Sequence, residues 1–294
     1  MSEIRTRTVQ ANGLSFVIDE AGEGDAVALF LHGFPESRRS WRAQLPALAA
    51  LGWRAVAPDL RGYGESSRPK GRAAYRLEHL TTDVAALFDA LGARRRLLIG
   101  HDWGGIIAWA FAAGRVQGLD GLIIMNAPHP AAYIAYMRGH PAQWLRSWYV
   151  LFFQLPWLPE AGILAMGARG VRQAFGAAAN PSAFPPELLD HYAQAAQAPG
   201  AMTAMINYYR ANAAGFARWG ADKDAPITTP TLVIWGEQDP FLGVDLALAS
   251  ADLASDATVR RMPHAGHWVP QEDSAGVNAR IADWLEAKGL APPA

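Results

Sequence analysis

Six residues constrain this chain more than any others: Gly100-His101-Asp102-Trp103-Gly104-Gly105. Leading into them, residues 96–100 read as a strand of the buried type. After them, with no gap, residues 103–113 read as an apolar helix. A strand that turns into a helix around one residue flanked by small ones lifts that residue to the carboxyl edge of a sheet. The glycines allow backbone to pack closely around it. The lifted residue here is Asp102.

The rest of the chain supplies the sheet that such a turn requires. β-rich runs fall at 4–9, 14–19, 26–31, 54–58 and 122–126, and helix-length runs at 41–51 and 77–91. The second helix is expected to carry Asp83 and Asp89 on its polar side. Strands alternating with helices indicate βαβ units and a mostly parallel central sheet flanked by helices, an α/β fold. From 128 to 219 the pattern is helical and aromatic, with no convincing strand. Strand signals return at 231–235 and 258–262, and a helix is expected at 274–288. This layout predicts a core in two parts, 1–128 and 223–294, with an inserted helical cap at 129–222.

Composition excludes several functions. The 294 residues are 51% hydrophobic and 18% charged, with a net charge of −1. A chain of this size buries enough surface to fold without disulfide or metal staples. Balanced charge argues against nucleic acid or an anionic membrane as the main partner. The absence of cysteine rules out disulfides, thiolate zinc sites, iron–sulfur clusters and a cysteine nucleophile. The apolar stretches near 106–113 and 148–158 fall short of the ~20 residues of a membrane span. The start, Met-Ser-Glu-Ile-Arg, lacks the basic-then-apolar pattern of a secretory signal, so a cytoplasmic location is expected.

An ionised carboxylate is nucleophilic at neutral pH without a helping base. Attack by Asp102 on carbon yields an ester, so its suited electrophile is an alkyl carbon with a leaving group. The competing role is a cap on the following helix. Chain order then asks for an acid and a base downstream. Asp239, in Gly236-Glu237-Gln238-Asp239-Pro240, and His267, in Ala265-Gly266-His267-Trp268, both follow strands. Glu237 competes for the acid, and His264 lacks the further ligands a metal site needs. His32-Gly33-Phe34-Pro35 follows an early strand, where backbone N–H groups serve an oxyanion. The N–H groups of Phe34 and Trp103 are the candidates.

Over nearly its whole length the sequence resembles α/β-hydrolases of the soluble epoxide hydrolase group. The matching motifs are His-Gly-Phe-Pro-Glu at 32–36, Asp-Leu-Arg-Gly-Tyr-Gly at 59–64, Gly-His-Asp-Trp-Gly-Gly at 100–105, Asn-Ala-Pro-His-Pro at 126–130 and Gly-His-Trp at 266–268. The resemblance implies the α/β-hydrolase fold and conversion of an epoxide to a vicinal diol. It further implies a covalent ester on Asp102, hydrolysed by water that His267 and Asp239 activate, with no metal or organic cofactor. Two cap tyrosines of that group, which hold and protonate the epoxide oxygen, match Tyr149, five residues before Gln154, and Tyr209 in Asn207-Tyr208-Tyr209-Arg210. Tyr208 is the alternative to Tyr209.

Haloalkane and haloacid dehalogenases share the aspartate nucleophile and form the alternative. This chain has Phe34 where haloalkane dehalogenases usually carry asparagine, and Trp103 where fluoroacetate dehalogenases usually carry arginine. A non-catalytic ligand receptor on the same fold is a lower alternative. Trp144, Trp148, Phe152 and Trp157 cluster in sequence near Tyr149 and indicate an apolar epoxide. Phe34, Trp103, Trp148, Phe152 and Trp268 are expected to contact it. Oligomeric state stays open.

Overall fold

The computed structural model describes residues 3–213 and 226–292. Among them eight strands form one sheet: β1 (Arg5–Ala11), β2 (Leu14–Ala21), β3 (Ala26–Leu31), β4 (Arg54–Pro58), β5 (Arg95–His101), β6 (Gly121–Met125), β7 (Thr231–Gly236) and β8 (Ala257–Met262). Their spatial order is β1-β2-β4-β3-β5-β6-β7-β8. Only β2 runs against its neighbours β1 and β4, and the pairs from β4 to β8 are parallel.

The central strands are apolar on both faces, as helix-covered strands must be. In β3, Val27, Leu29 and Leu31 enter one core while Ala26, Ala28 and Phe30 enter the other. The same period of two divides Leu122 and Ile124 from Ile123 and Met125 in β6. Helices α1 (Gln44–Ala50) and α12 (Ser274–Ala287) close the second face, with Leu45, Leu48, Ile281 and Trp284 in its core. Helices α2 (Leu77–Ala90) and α3 (Trp103–Ala113) close the first. Covered on all sides, α3 has no polar face, and Ile107 to Phe111 are all buried.

Between β6 and β7 run α4 (Pro130–Gly139), α5 (Pro141–Arg146), α6 (Trp148–Phe152), α7 (Leu158–Ala174), α8 (Pro186–Gln197) and α9 (Ala201–Asn212). Helix α7 is broken by non-helical backbone from Ala165 to Ala168. Helices α10 (Asp245–Ala251) and α11 (Val269–Glu272) complete the chain. The expected domain boundary at 222/223 lies outside the described residues. No helix among those described is long and apolar enough to cross a membrane.

Two sequence expectations need correction. The run at 41–51 opens with a 3-10 turn, Arg38–Trp41, and only then forms α1. Asp83 is not on a solvated face: it is buried and accepts two hydrogen bonds from Arg61, at 2.7 and 2.6 Å, and one from Asn12 at 2.7 Å. Helical period alone cannot foresee that the loop after β4 brings a guanidinium to that face. Asp89, by contrast, is exposed and accepts from Gln117.

Candidate active site

Strand order reverses at β3, which has β4 on one side and β5 on the other. Loops leaving β3 and β5 therefore diverge and open a crevice at the carboxyl edge, where α/β sheets bind ligands. Phe34 lies just beyond β3 and Asp102 just beyond β5. Asp102 has φ +49° and ψ −120°, a conformation few side chains adopt without strain. The small residues around it permit this turn. A Cβ on Gly104 would overlap the Leu31 carbonyl, and one on Gly33 would overlap the Asp102 side chain.

Asp102 does not cap α3 with its side chain. Its Oδ1 accepts instead from the Phe34 N–H at 2.7 Å, across 68 residues of sequence. Its Oδ2 lies 3.7 Å from His267 Nε2. On the other side of the imidazole, His267 Nδ1 is 2.7 Å from Asp239 Oδ2. Asp239 is fully engaged, accepting from the Phe241 and Leu242 N–H groups at 2.7 and 3.0 Å and from Asn126 at 2.8 Å. Glu237, the competing acid, pairs with Arg261 away from the imidazole.

These contacts set the charges. Burial works against a charged Asp102, but the His267 hydrogen bond and charge and the Phe34 N–H outweigh it and lower its pKa. Asp239 is lowered in the same way, burial being overcome chiefly by His267. Burial also opposes a charged His267, yet the two carboxylates raise its pKa well above the usual imidazole value. The two carboxylates therefore favour the protonated form of the imidazole that lies between them.

A cavity of about 450 Å³ is lined by Asp102 from the core and by Tyr149 and Tyr209 from the helices between β6 and β7. Their rings meet edge to face at 6.1 Å, and Tyr209 rests edge-on against Trp103 at 5.0 Å. Burial first, and the Asp102 charge second, push both phenols well above the usual tyrosine pKa. Both are therefore protonated donors. Arg210 holds this wall together. It donates to the Phe153 carbonyl at 2.8 Å and to that of Leu155, and pairs with Glu160 at 2.5 and 3.0 Å. It thus ties the turn after α6, which carries Tyr149, to α9, which carries Tyr209.

The model of the alpha/beta hydrolase fold matches residues 27–274. Human epoxide hydrolase 4 is 37% identical over 95% of this chain and 77% of its own length. The AB hydrolase superfamily protein YfhM of Bacillus subtilis is 36% identical over 97% of this chain and 99% of its own. The crystal structure of epoxide hydrolase A from Mycobacterium thermoresistibile superposes with a TM-score of 0.83 at 31% identity, covering 97% of this chain and 98% of that one. The chain belongs to the α/β-hydrolase family, in its epoxide hydrolase group.

Within this hydrolase the remaining expected residues are placed unevenly. Trp103 lines the cavity and is the first residue of α3. Phe34 sends its amide to Asp102, while its ring packs on Phe153 and Tyr209. Phe34, Trp148, Phe152 and Trp268 are not among the residues that line the cavity. Trp148 is 61% exposed, because Tyr149 turns inward and its neighbour in the helix must turn away. Phe152 stacks loosely on Trp148 and Phe153. Trp268 is buried among Phe175, Phe184 and Phe241. Trp144 lines the cavity mouth, but Trp157 is 73% exposed. Tyr208 points elsewhere, donating to the Arg61 carbonyl at 2.7 Å.

Sequence reasoning missed three contributors. Asn126 lines the cavity, joins Asp239 and accepts from the Gly236 N–H at 2.8 Å. Glu36 and His101 form a buried pair at 2.9 Å, and the other nitrogen of His101 reaches the His267 carbonyl at 2.8 Å. All three residues stand inside the motifs at 32–36, 100–105 and 126–130, which was their available signal. Helix α4, the third omission, lines the cavity with Pro130, Tyr133, Ile134 and Met137, a legible helical period.

Proposed function

We propose that this hydrolase opens an apolar epoxide to a vicinal diol through a covalent ester on Asp102. The observation that carries this reading is one cavity shared by two sets of groups. A lowered-pKa carboxylate, backed by an imidazole and a second carboxylate, lines the same apolar cavity as two protonated phenols. In this reading residues 129–222 act as a cap and 1–128 with 223–294 as the core.

In the first step an oxygen of Asp102 forms a bond to an epoxide carbon and the ring C–O bond breaks. The released alkoxide takes a proton from Tyr149 or Tyr209, a role suited to a phenol positioned at neutral pH. Ester formation removes the Asp102 charge, one of the two that hold the proton on His267. The imidazolium can then return the tyrosine's proton and become neutral.

In the second step neutral His267, held by Asp239, takes one proton from water as the water oxygen attacks the ester carbonyl. The N–H groups of Phe34 and Trp103 hold the oxyanion, each worth about 3 kcal/mol by the usual measure. The Phe34 N–H already lies 2.7 Å from Asp102 Oδ1. Collapse restores the carboxylate, and the water's second proton goes to the departing diol. No step calls on a metal or organic cofactor.

A panel of a styrene-oxide-like epoxide, an alkyl bromide and fluoroacetate tests the reading. Diol release from the epoxide, with little halide from the other two, is expected. Faster halide than diol release would assign the site to dehalogenation instead, and binding without turnover of any of them would make it a receptor.

A further inference from the structure

The described residues expose ten large hydrophobic side chains, and seven of them fall between Trp144 and Leu158. Single exposed apolar side chains are ordinary, but a contiguous set marks an interaction surface. Trp144, Trp148 and Leu151 recur at intervals of four and three, the spacing of one helical stripe through α5 and α6. Leu155 and Trp157 follow on the turn before α7 and are also exposed. The polar side chains of the same run are turned inward. Ser147 is buried and accepts from the Tyr133 hydroxyl at 2.7 Å and from Gln143 at 2.9 Å. Gln143 is buried too and donates to the Phe241 carbonyl at 2.7 Å. This is the reverse of a helix that faces water, which hides its apolar stripe and shows its polar one.

Charge indicates what covers this face. From Pro130 to Pro159 the chain holds two arginines, Arg138 and Arg146, and no acidic residue. The first acid beyond, Glu160, is taken by Arg210 at 2.5 and 3.0 Å. Arg146 shares a surface hollow with Glu237 and Asp245, so the cation left beside the apolar face is Arg138, which lines the cavity together with Trp144 and Leu151. Trp144 and Leu151 are themselves exposed, so the face borders the cavity's opening. A second copy related by a two-fold axis would set this face against itself, arginine toward arginine with no acid in the segment to answer it. An anionic lipid surface supplies what the face lacks: charge for Arg138, hydrocarbon for the leucines, and the boundary layer in which tryptophan rings settle.

We propose that the face from Trp144 to Leu158 docks on an anionic bilayer surface, lying in the headgroup layer with the cavity's opening against the lipid. The contact is interfacial, since no described helix can span. The balance of 27 acidic against 26 basic residues, which argues against such a membrane as the main partner, averages over a surface from which this face departs. The proposal stands apart from the chemistry at Asp102.

Vesicle flotation tests it on the intact protein. The parent should float with vesicles of phosphatidylcholine and phosphatidylglycerol in equal parts, and brominated acyl chains should quench its tryptophan fluorescence. Leu145 and Trp157 are exposed and do not line the cavity. Leu145→Gln combined with Trp157→Gln should lower the partition coefficient by about tenfold or more, with circular dichroism and thermal midpoint as in the parent. The parent should prefer the mixed vesicles over pure phosphatidylcholine by about fivefold, and Arg138→Gln should bring that ratio toward one. A parent that floats with neither vesicle, or binding that survives the double substitution, overturns the proposal. If vesicles leave the parent unbound and sedimentation velocity shows a self-association that the double substitution abolishes, the face belongs to a second copy of the chain instead.

Discussion

The two walls of the cavity are built on different principles. The core wall is held by directed bonds: Asp102 to Phe34, His267 to Asp239, and Asp239 to Asn126 and two backbone amides. Each group there is positioned by a strand end, and strands β3, β5, β6 and β7 lock one another by parallel pairing. The helical wall is held by edge-to-face rings and by one arginine that gathers two carbonyls and a carboxylate. In the proposed reading, the groups that form and break bonds at carbon sit on the wall of directed bonds. The groups proposed to receive the leaving oxygen sit on the wall whose packing is less directional. Loss of a core group should therefore remove the chemistry, whereas loss of a helical-wall group should slow it or change what it accepts.

Removing the nucleophile tests the core wall most severely. Asp102→Ala should lower steady-state epoxide turnover by more than ~10⁴-fold with the circular dichroism of the parent retained, since no other group can form the ester. On the helical wall, Tyr149→Phe and Tyr209→Phe should each slow alkylation, and the double variant should lose ~10²–10⁴-fold in single-turnover rate. A double variant that opens epoxides at the parent rate would make both rings packing residues. Arg210→Gln touches no substrate, yet it frees the turn that follows the helix of Tyr149. We expect alkylation slowed by about tenfold or more in kcat, since small misplacements of a reacting group are costly, with the folded fraction unchanged.

The smallest effect concerns pH and belongs to the core wall alone. His267 binds its proton more tightly folded than unfolded. Its contribution to stability is therefore complete below the unfolded value near 6.5 and is lost as pH rises through the raised folded value. The thermal midpoint of the parent should fall between neutral and alkaline pH relative to His267→Gln, by about 2–4 °C per kcal/mol for a chain of this size. The depressed Asp102 pKa acts in the opposite sense. Alkylation should persist as pH falls through the ordinary carboxylate range and fail only once Asp102 itself protonates.

How far the sequence discloses each wall follows the same division. Asp102, Phe34 and His267 stand at turns whose local chemistry is compressed into a few adjacent residues, so their places can be read before folding. The strands around them were equally legible, because period-two burial is written along each one. Asp83 was not, since its partner Arg61 comes from another element and helical period cannot see across space. The helical wall was legible only in part. Tyr149 and Tyr209 are singled out only by the family resemblance, through their places before Gln154 and Arg210. Trp148 and Phe152 sit beside Tyr149 in sequence but on other faces of a five-residue helix. Trp268 adjoins His267, yet its ring joins an aromatic cluster with Phe175 and Phe184. Adjacency along the chain predicts a shared face in neither case. The choice between Tyr208 and Tyr209 needed the structure, which sends one phenol to the Arg61 carbonyl and leaves the other in the cavity.

The central claim is that chemistry runs through an ester on Asp102 that only the His267 side of the core wall can discharge. His267→Gln, mixed with a terminal epoxide and digested, measures this directly by mass spectrometry. The account predicts near-stoichiometric addition of one substrate mass to the peptide that contains Asp102, persisting long after the parent enzyme would have returned to its free form. A His267→Gln protein that binds the epoxide and forms no adduct, or carries the added mass on a different peptide, would contradict it.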